Sequence, residues 1–221
     1  MQPSNAPMRV VLFASGRGSN ARTILELASQ QPIDIEVVAL ITNKATAPVV
    51  QVAASHGVPS HIVPVRRQET GRATRLEHES RIHDVLKEYE WEYICLAGYM
   101  RIFTPDFVEA YPHSAFPVSR IINIHPSMLP AFKGASAYDD AFNYGVKVSG
   151  ITVHFVSAGV DEGVIIAQES FERLPNDDLS QFKARGLSVE HRLYPNVLLS
   201  LSRGDFVTQP EPFSIFLTPS S

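Results

Sequence analysis

Cysteine is nearly absent: Cys95 is the only one in 221 residues. A lone thiol excludes an intrachain disulfide and any zinc cluster built on cysteines. Cys95 lies in the apolar run YICLAGYM (Tyr93–Met100), which reads as a buried core position. Charge of one sign is scarce too, with 19 Lys and Arg against 23 Asp and Glu, a formal net charge of -4. That balance argues against a broad nucleic-acid surface, which needs clustered cations. It leaves room for a local anion site made from a few backbone N–H groups. No apolar run approaches the ~20 residues of a membrane-spanning helix. The start, MQPSNAPM, is polar and carries Pro3 and Pro7, unlike a secretory signal. A cytoplasmic location is therefore expected, with residues 1–7 as a loose tail and Met8 as an alternative start.

The remaining composition, 44% hydrophobic and 19% charged, is that of an ordinary globular chain with a sizeable core. β-branched runs at Val10–Ala14, Ile35–Ile41, Ser60–Val65, Tyr93–Leu96 and Ile121–Ile124 read as strands. Amphipathic stretches at Ser19–Gln30, Val49–His56, Arg75–Tyr89 and Pro105–Ala110 read as helices between them. Near-continuous apolar strands, each followed by a helix, predict an α/β fold: a Rossmann-like, doubly wound, mostly parallel sheet covered on both faces. After a helix at Ala135–Tyr144 the pattern changes to two strands joined by the loop Ser157–Gly163, an antiparallel C-terminal extension of the sheet. A long helix over about Leu179–Leu201 follows, and the proline-rich end, GDFVTQPEPF, reads as strand-poor. With no repeat and no linker, one domain over residues 1–221 is expected. The change of pattern divides it into two halves, 8–125 and 126–208.

The turn SGRGSN (Ser15–Asn20) links the first strand to the first helix. Gly16 and Gly18 permit close backbone approach, and Ser19 and Asn20 suit a helix N-terminus whose free N–H groups attract an anion. Taken alone, the loop fits equally well a capped turn with no ligand. It also matches a loose dinucleotide fingerprint, which needs an acidic residue at the end of the second strand for the ribose. That strand ends in Thr42-Asn43-Lys44, and Asp34 and Glu36 stand at its beginning, so the dinucleotide reading weakens. No Gly-Lys-Ser/Thr closes the loop, which excludes a Walker A motif.

The densest polar set is IINIHPSMLPAFKG (Ile121–Gly134). Period-two geometry puts Asn123 and His125 on one face of a strand that Pro126 ends. An amide donor beside an imidazole suits acyl transfer, the first for an oxyanion and the second for a proton. Asp161, in the loop SAGVDEG, can orient the imidazole, although an Asp there is also an ordinary turn residue. His154, in ITVHFV, reads as a structural histidine. No His or carboxylate pair has helical metal spacing, and no metal is expected.

Four segments, SGRGSN (Ser15–Asn20), LAGYMRIF (Leu96–Phe103), INIHPSMLP (Ile122–Pro130) and GITVHFVSAGVDEGVIIAQ (Gly150–Gln168), occur in the order seen in phosphoribosylglycinamide formyltransferases. The chain resembles that family from about Met8 to Asp205. The resemblance implies the formyltransferase fold and transfer of a formyl group from 10-formyltetrahydrofolate to glycinamide ribonucleotide, without a metal. By motif it implies a catalytic trio of Asn123, His125 and Asp161, and a substrate-phosphate site at Gly18, Ser19 and Asn20. It further implies a folate segment at Met100, Arg101, Ile102 and Phe103, with Arg75 as an added contact. Ser157, Ala158, Gly159 and Val160 then surround the pterin, and Glu190 contacts the glycinamide substrate. The oligomeric state stays open, a homodimer included. The chain departs from the family pattern at Ala135-Ser136-Ala137, where relatives carry histidines, at Met128, and in the insertion-like YPHSAFPVSR. The alternatives are another formyltetrahydrofolate-using enzyme, a deformylase or a tRNA or sugar formyltransferase, and a non-catalytic phosphate- or nucleotide-binding module.

Overall fold

The computed structural model describes residues 6–65 and 72–219. Residues 1–5 of the expected tail lie outside these. Five strands alternate with helices: β1 (Met8–Phe13), α1 (Ser19–Gln30), β2 (Ile35–Thr42), α2 (Val49–Ser55), β3 (Ser60–Ile62), α3 (Arg72–Leu86), β4 (Tyr93–Leu96), α4 (Pro105–Glu109) and β5 (Ile121–His125). There follow α5 (Ala137–Tyr144), β6 (Val148–Phe155), β7 (Ile165–Glu172), α6 (Leu179–Arg203), β8 (Phe206–Pro210) and β9 (Phe213–Leu217). One seven-stranded sheet, ordered β3-β2-β1-β4-β5-β6-β7, runs through the molecule. The first five are parallel neighbours, and β6 and β7 are added antiparallel.

Period two along β1 explains why both faces are covered. Val10 and Leu12 join one buried cluster with Ile24 and Leu25 of α1 and Tyr194 and Leu198 of α6. Val11 and Phe13 join the other, with Ile82 and Leu86 of α3 and Phe103 and Phe107 around α4. Each such fully buried large side chain contributes roughly 1.5–3 kcal/mol of transfer free energy. Strand order reverses between β1 and β4, and at such a switch point the loops leave a crevice at the strands' carboxyl ends. The glycine turn after β1 and the segment after β4 meet there, with Ser15 N–H donating to Gly98 O at 3.1 Å.

The differences from the sequence expectations have local causes. β3 stops at Ile62: Val63 N–H still donates to Thr42 O at 2.8 Å, but Pro64 has no N–H to continue the ladder. α3 ends at Leu86 rather than Tyr89 because the Trp91 indole N–H takes the Leu86 carbonyl at 3.1 Å. The end of the chain is not strand-poor. β8 and β9 form an antiparallel hairpin: Pro210 ends β8 and Pro212 lies in the turn itself, where a missing N–H costs no ladder bond. The insertion YPHSAFPVSR braces it: the Phe116 ring meets Phe206 at 5.8 Å and Phe213 at 5.6 Å.

Four histidines pair with tyrosine hydroxyls: His61 with Tyr89, His78 with Tyr99, His83 with Tyr111 and His113 with Tyr93. Burial lowers His78 to about 4, helped by the nearby Arg81 and Arg101 cations. Burial also lowers His83 and His113 below the ordinary 6.5. These rings fold neutral, so their contribution is complete above 6.5, where the unfolded rings are also neutral, and is lost as pH falls toward 4. Thermal unfolding should therefore show a lower midpoint at about pH 5 than at about pH 7.5. A midpoint that holds or rises on acidification would contradict this reading.

Candidate active site

Strand pairing builds the centre of the site. Antiparallel register sets Asn123 of β5 opposite His154 of β6, and His125 opposite Thr152. His154 Nδ1–H donates to the Phe155 carbonyl at 2.9 Å, which leaves Nε2 to accept from Asn123 Nδ2 at 3.2 Å. Burial pushes this imidazole below its ordinary range and keeps it neutral. His154 is thus the satisfied histidine that the sequence suggests, and it also aims the Asn123 amide. His125 Nε2–H donates to the Phe132 carbonyl at 2.8 Å, while its Nδ1 lies 3.4 Å from Asp161 Oδ2. A ring protonated on both nitrogens is the form that donates in both directions.

The loop between β6 and β7 folds back over this face. A Cβ on Gly163 would lie 1.7 Å from the Phe155 carbonyl oxygen, so only glycine fits that return. Asp161 adopts the left-handed region, φ 53°, which Asp tolerates better than most residues. Its Oδ2 accepts the Gly134 N–H at 2.8 Å, and its Oδ1 is 3.7 Å from His154 Nε2. One carboxylate therefore faces both histidines and pins the loop that follows β5. Lys133 and Glu162 cross the same two loops at 2.8 Å, a half-exposed pair contributing about 0.2–1 kcal/mol.

The glycine turn closes the site from the other side. Gly18 caps α1 in the left-handed region, φ 74°, and a Cβ there would lie 2.3 Å from Val49 Cγ2. Ser15 Oγ–H donates to Asn43 Oδ1 at 2.7 Å and accepts the Met100 N–H at 3.0 Å. Asn43 is thus occupied at the strand end where a dinucleotide site would need an acid for the ribose. Asn20 Nδ2–H donates to Glu190 Oε2 at 2.5 Å, so the backbone N–H groups at the start of α1 are what the turn offers an anion.

The Met100–Phe103 segment is held at both ends by α3. His78 Nε2 pairs with the Tyr99 hydroxyl at 2.9 Å. Glu79 accepts the Thr104 N–H at 2.7 Å and the Thr104 hydroxyl at 2.5 Å. Between these anchors Met100 and Ile102 stay 62% and 63% exposed, although both are apolar. Phe103 turns inward, stacked between Tyr99 and Phe107.

A cavity of about 400 Å³ joins these parts. Asn123, His125, Asp161, Asn20, Glu190, Met100–Phe103 and Ser157–Val160 all line it, with His154, Gly134 and Ala135. Gly18 and Ser19 sit beside it at the start of α1, outside the lining. Arg75 lies exposed on α3 and is not among the lining residues. Several contributors were not singled out from the sequence. His78, Glu79 and Tyr138 act through contacts across more than twenty residues of chain, and only a register places His154 beside Asn123. Among the described residues no group of three or more His, Cys, Asp or Glu side chains is arranged to hold a metal ion. Likewise, no helix among them is long and apolar enough to cross a membrane.

A mostly parallel sheet with this switch-point crevice, and with Asn123, His125 and Asp161 gathered beside it, is the frame in which the relatives can be compared. Residues 8–198 match the formyl transferase family, and the chain belongs to it. More particularly, the chain is 38% identical to phosphoribosylglycinamide formyltransferase of Bacillus subtilis (strain 168) over 193 residues, 87% of this chain and 94% of that protein. It is 33% identical to the human trifunctional purine biosynthetic protein adenosine-3 over 89% of this chain but only 18% of that longer protein. Among solved structures, phosphoribosylglycinamide formyltransferase from Anaplasma phagocytophilum superposes with a TM-score of 0.85 at 31% identity, covering 97% of this chain and 95% of that one. Glycinamide ribonucleotide transformylase 1 from Symbiobacterium toebii does so with a TM-score of 0.85 at 32% identity, covering 99% and 100%.

The Glu79 anchor can be tested by stability. Glu79→Ala leaves the Thr104 N–H and hydroxyl without their buried acceptor and should cost about 2–3 kcal/mol in urea unfolding. Glu79→Gln, which keeps an acceptor oxygen, should cost less. An alanine variant within about 0.5 kcal/mol of the parent would show that the anchor carries little stability.

Proposed function

We propose that this chain transfers the formyl group of 10-formyltetrahydrofolate to the amine of glycinamide ribonucleotide, a step of de novo purine biosynthesis. The products are formylglycinamide ribonucleotide and tetrahydrofolate. The carrying observation is one cavity lined by the Asn123, His125 and Asp161 centre, the exposed apolar Met100 and Ile102 with Arg101 between them, and the Asn20–Glu190 pair. In this reading the start of α1, at Gly18, Ser19 and Asn20, takes the substrate phosphate. Glu190 contacts the rest of the ribonucleotide, and Met100–Phe103 with Ser157–Val160 hold the folate. Arg75 serves as an outer folate contact. We assign residues 1–221 to a single formyltransferase domain acting in the cytoplasm.

The amine nitrogen attacks the formyl carbon, forming the new C–N bond as the carbonyl electron pair moves onto oxygen. One Asn123 amide N–H is held by His154, and the other is free to meet that oxyanion. Both His125 nitrogens have neighbours in the free site, Phe132 O and Asp161 Oδ2. Delivering an N–H to the substrate therefore means exchanging the Phe132 carbonyl for the formyl oxygen, with Asp161 still facing Nδ1. Catalytic hydrogen bonds often tighten in this way only once substrate is bound. Collapse of the intermediate breaks the bond to N10 of the folate. The proton leaving the amine ends on N10, and Asp161 and His125 are the groups placed to relay it.

The test is turnover of glycinamide ribonucleotide and 10-formyltetrahydrofolate, followed by release of tetrahydrofolate. Parent protein should turn over. His125→Ala should lower kcat by roughly 10²–10⁴ and Asn123→Ala by roughly 10²–10³, with smaller changes in KM. No turnover by the parent protein, or parental kcat in His125→Ala, would contradict the proposal.

A further inference from the structure

Glu190 lies on α6 at the cavity wall, 7% exposed, with each carboxylate oxygen taken by one donor. Oε2 accepts from Asn20 Nδ2 and Oε1 from the Tyr138 hydroxyl, both at 2.5 Å. Tyr138 belongs to α5 and does not line the cavity, so it reaches the site only through Glu190. Burial and the adjacent carboxylate push its phenol well above the ordinary range, which keeps the hydroxyl a donor at any working pH.

The ring fits because of a missing side chain. Gly186 precedes Glu190 by one helical turn on the same face of α6, and a Cβ there would lie 2.5 Å from both Tyr138 Cε1 and its hydroxyl oxygen. Glycine inside a long helix is otherwise unfavourable, so its presence marks a close approach. The Phe182 ring meets Tyr138 edge-on at 6.1 Å, another turn earlier. Phe182, Gly186 and Glu190 thus form a slot, a step and a target for one tyrosine.

We infer that Tyr138 is a positioning residue for the ribonucleotide substrate: seated over Gly186, it fixes the rotamer of the Glu190 carboxylate that faces the cavity. This rests on the assignment of Glu190 as a substrate contact. With two acceptor sites used by protein donors, the carboxylate keeps its others for donors on the substrate. Asn20 Oδ1, buried without a partner beside it, adds one more acceptor to the same wall. Loss of the tyrosine donor frees the carboxylate to rotate, and that disorder must be removed again each time substrate binds.

Steady-state kinetics test the inference. Tyr138→Phe should raise KM for glycinamide ribonucleotide about tenfold, the scale of one charge-assisted hydrogen bond. KM for 10-formyltetrahydrofolate should stay near its parental value. Gly186→Ala should reproduce the KM effect by displacing the ring, although Ala is the better helix former. On a Glu190→Gln background, Tyr138→Phe should add little, because the two act as one unit. An unchanged KM in Tyr138→Phe, or a full extra tenfold on the Glu190→Gln background, overturns the inference. Absence of turnover in the parent protein would instead overturn the substrate reading, and the positioning role with it.

Discussion

The Asp161 carboxylate accepts the Gly134 N–H at 2.8 Å and faces His125 at 3.4 Å and His154 at 3.7 Å, with its side chain only 11% exposed. A nearly buried carboxylate is costly unless it is hydrogen-bonded and paired, so Asp161 depends on the Gly134 N–H and on His125. Conversely, Gly134 and the turn before it are held by Asp161, and the Phe132 carbonyl in that turn takes the His125 Nε2–H. The charge thereby ties the strand that carries His125, the turn after it and the loop between β6 and β7 into one unit.

The sheet makes that unit possible. The antiparallel return sets Asn123 and His154 opposite each other and leaves the β6–β7 loop free to fold over them. On the other side, the switch point between β1 and β4 brings the glycine turn to the segment at Gly98–Phe103, stitched through Ser15 to Gly98, Asn43 and Met100. The cavity lies between the Asn123, His125 and Asp161 cluster and the start of α1, with the Asn20–Glu190 bond on its wall.

Elements with strong periodicity were legible from the residues alone. α1 at Ser19–Gln30 and β4 at Tyr93–Leu96 agree with their patterns to the residue. Asn123 and His125 were legible as a pair because a strand's period of two requires it. The β8–β9 hairpin was not, because Pro210 and Pro212 read as strand breakers and only tertiary packing shows the first ending β8 and the second in the turn. The role of His154 depends on a register, and those of Glu79 and Tyr138 depend on helices packing across the site. Gly186 was the one local signal for Tyr138, a glycine in a helix with no turn to make. The insertion YPHSAFPVSR was legible as a departure from the motif pattern, but its bracing of the β8–β9 hairpin through Phe116 was not, because that contact spans about ninety residues of chain.

The central claim is that the negative charge of Asp161, acting on His125, drives formyl transfer. Asp161→Asn isolates it, since Asn tolerates the left-handed backbone and keeps an acceptor for the Gly134 N–H. The decisive measurement is the single-turnover rate of formyl transfer in that variant, alongside equilibrium binding of both substrates. The account predicts a rate lower by roughly 10² or more, with affinities close to parental. A transfer rate within a few-fold of the parent would contradict it.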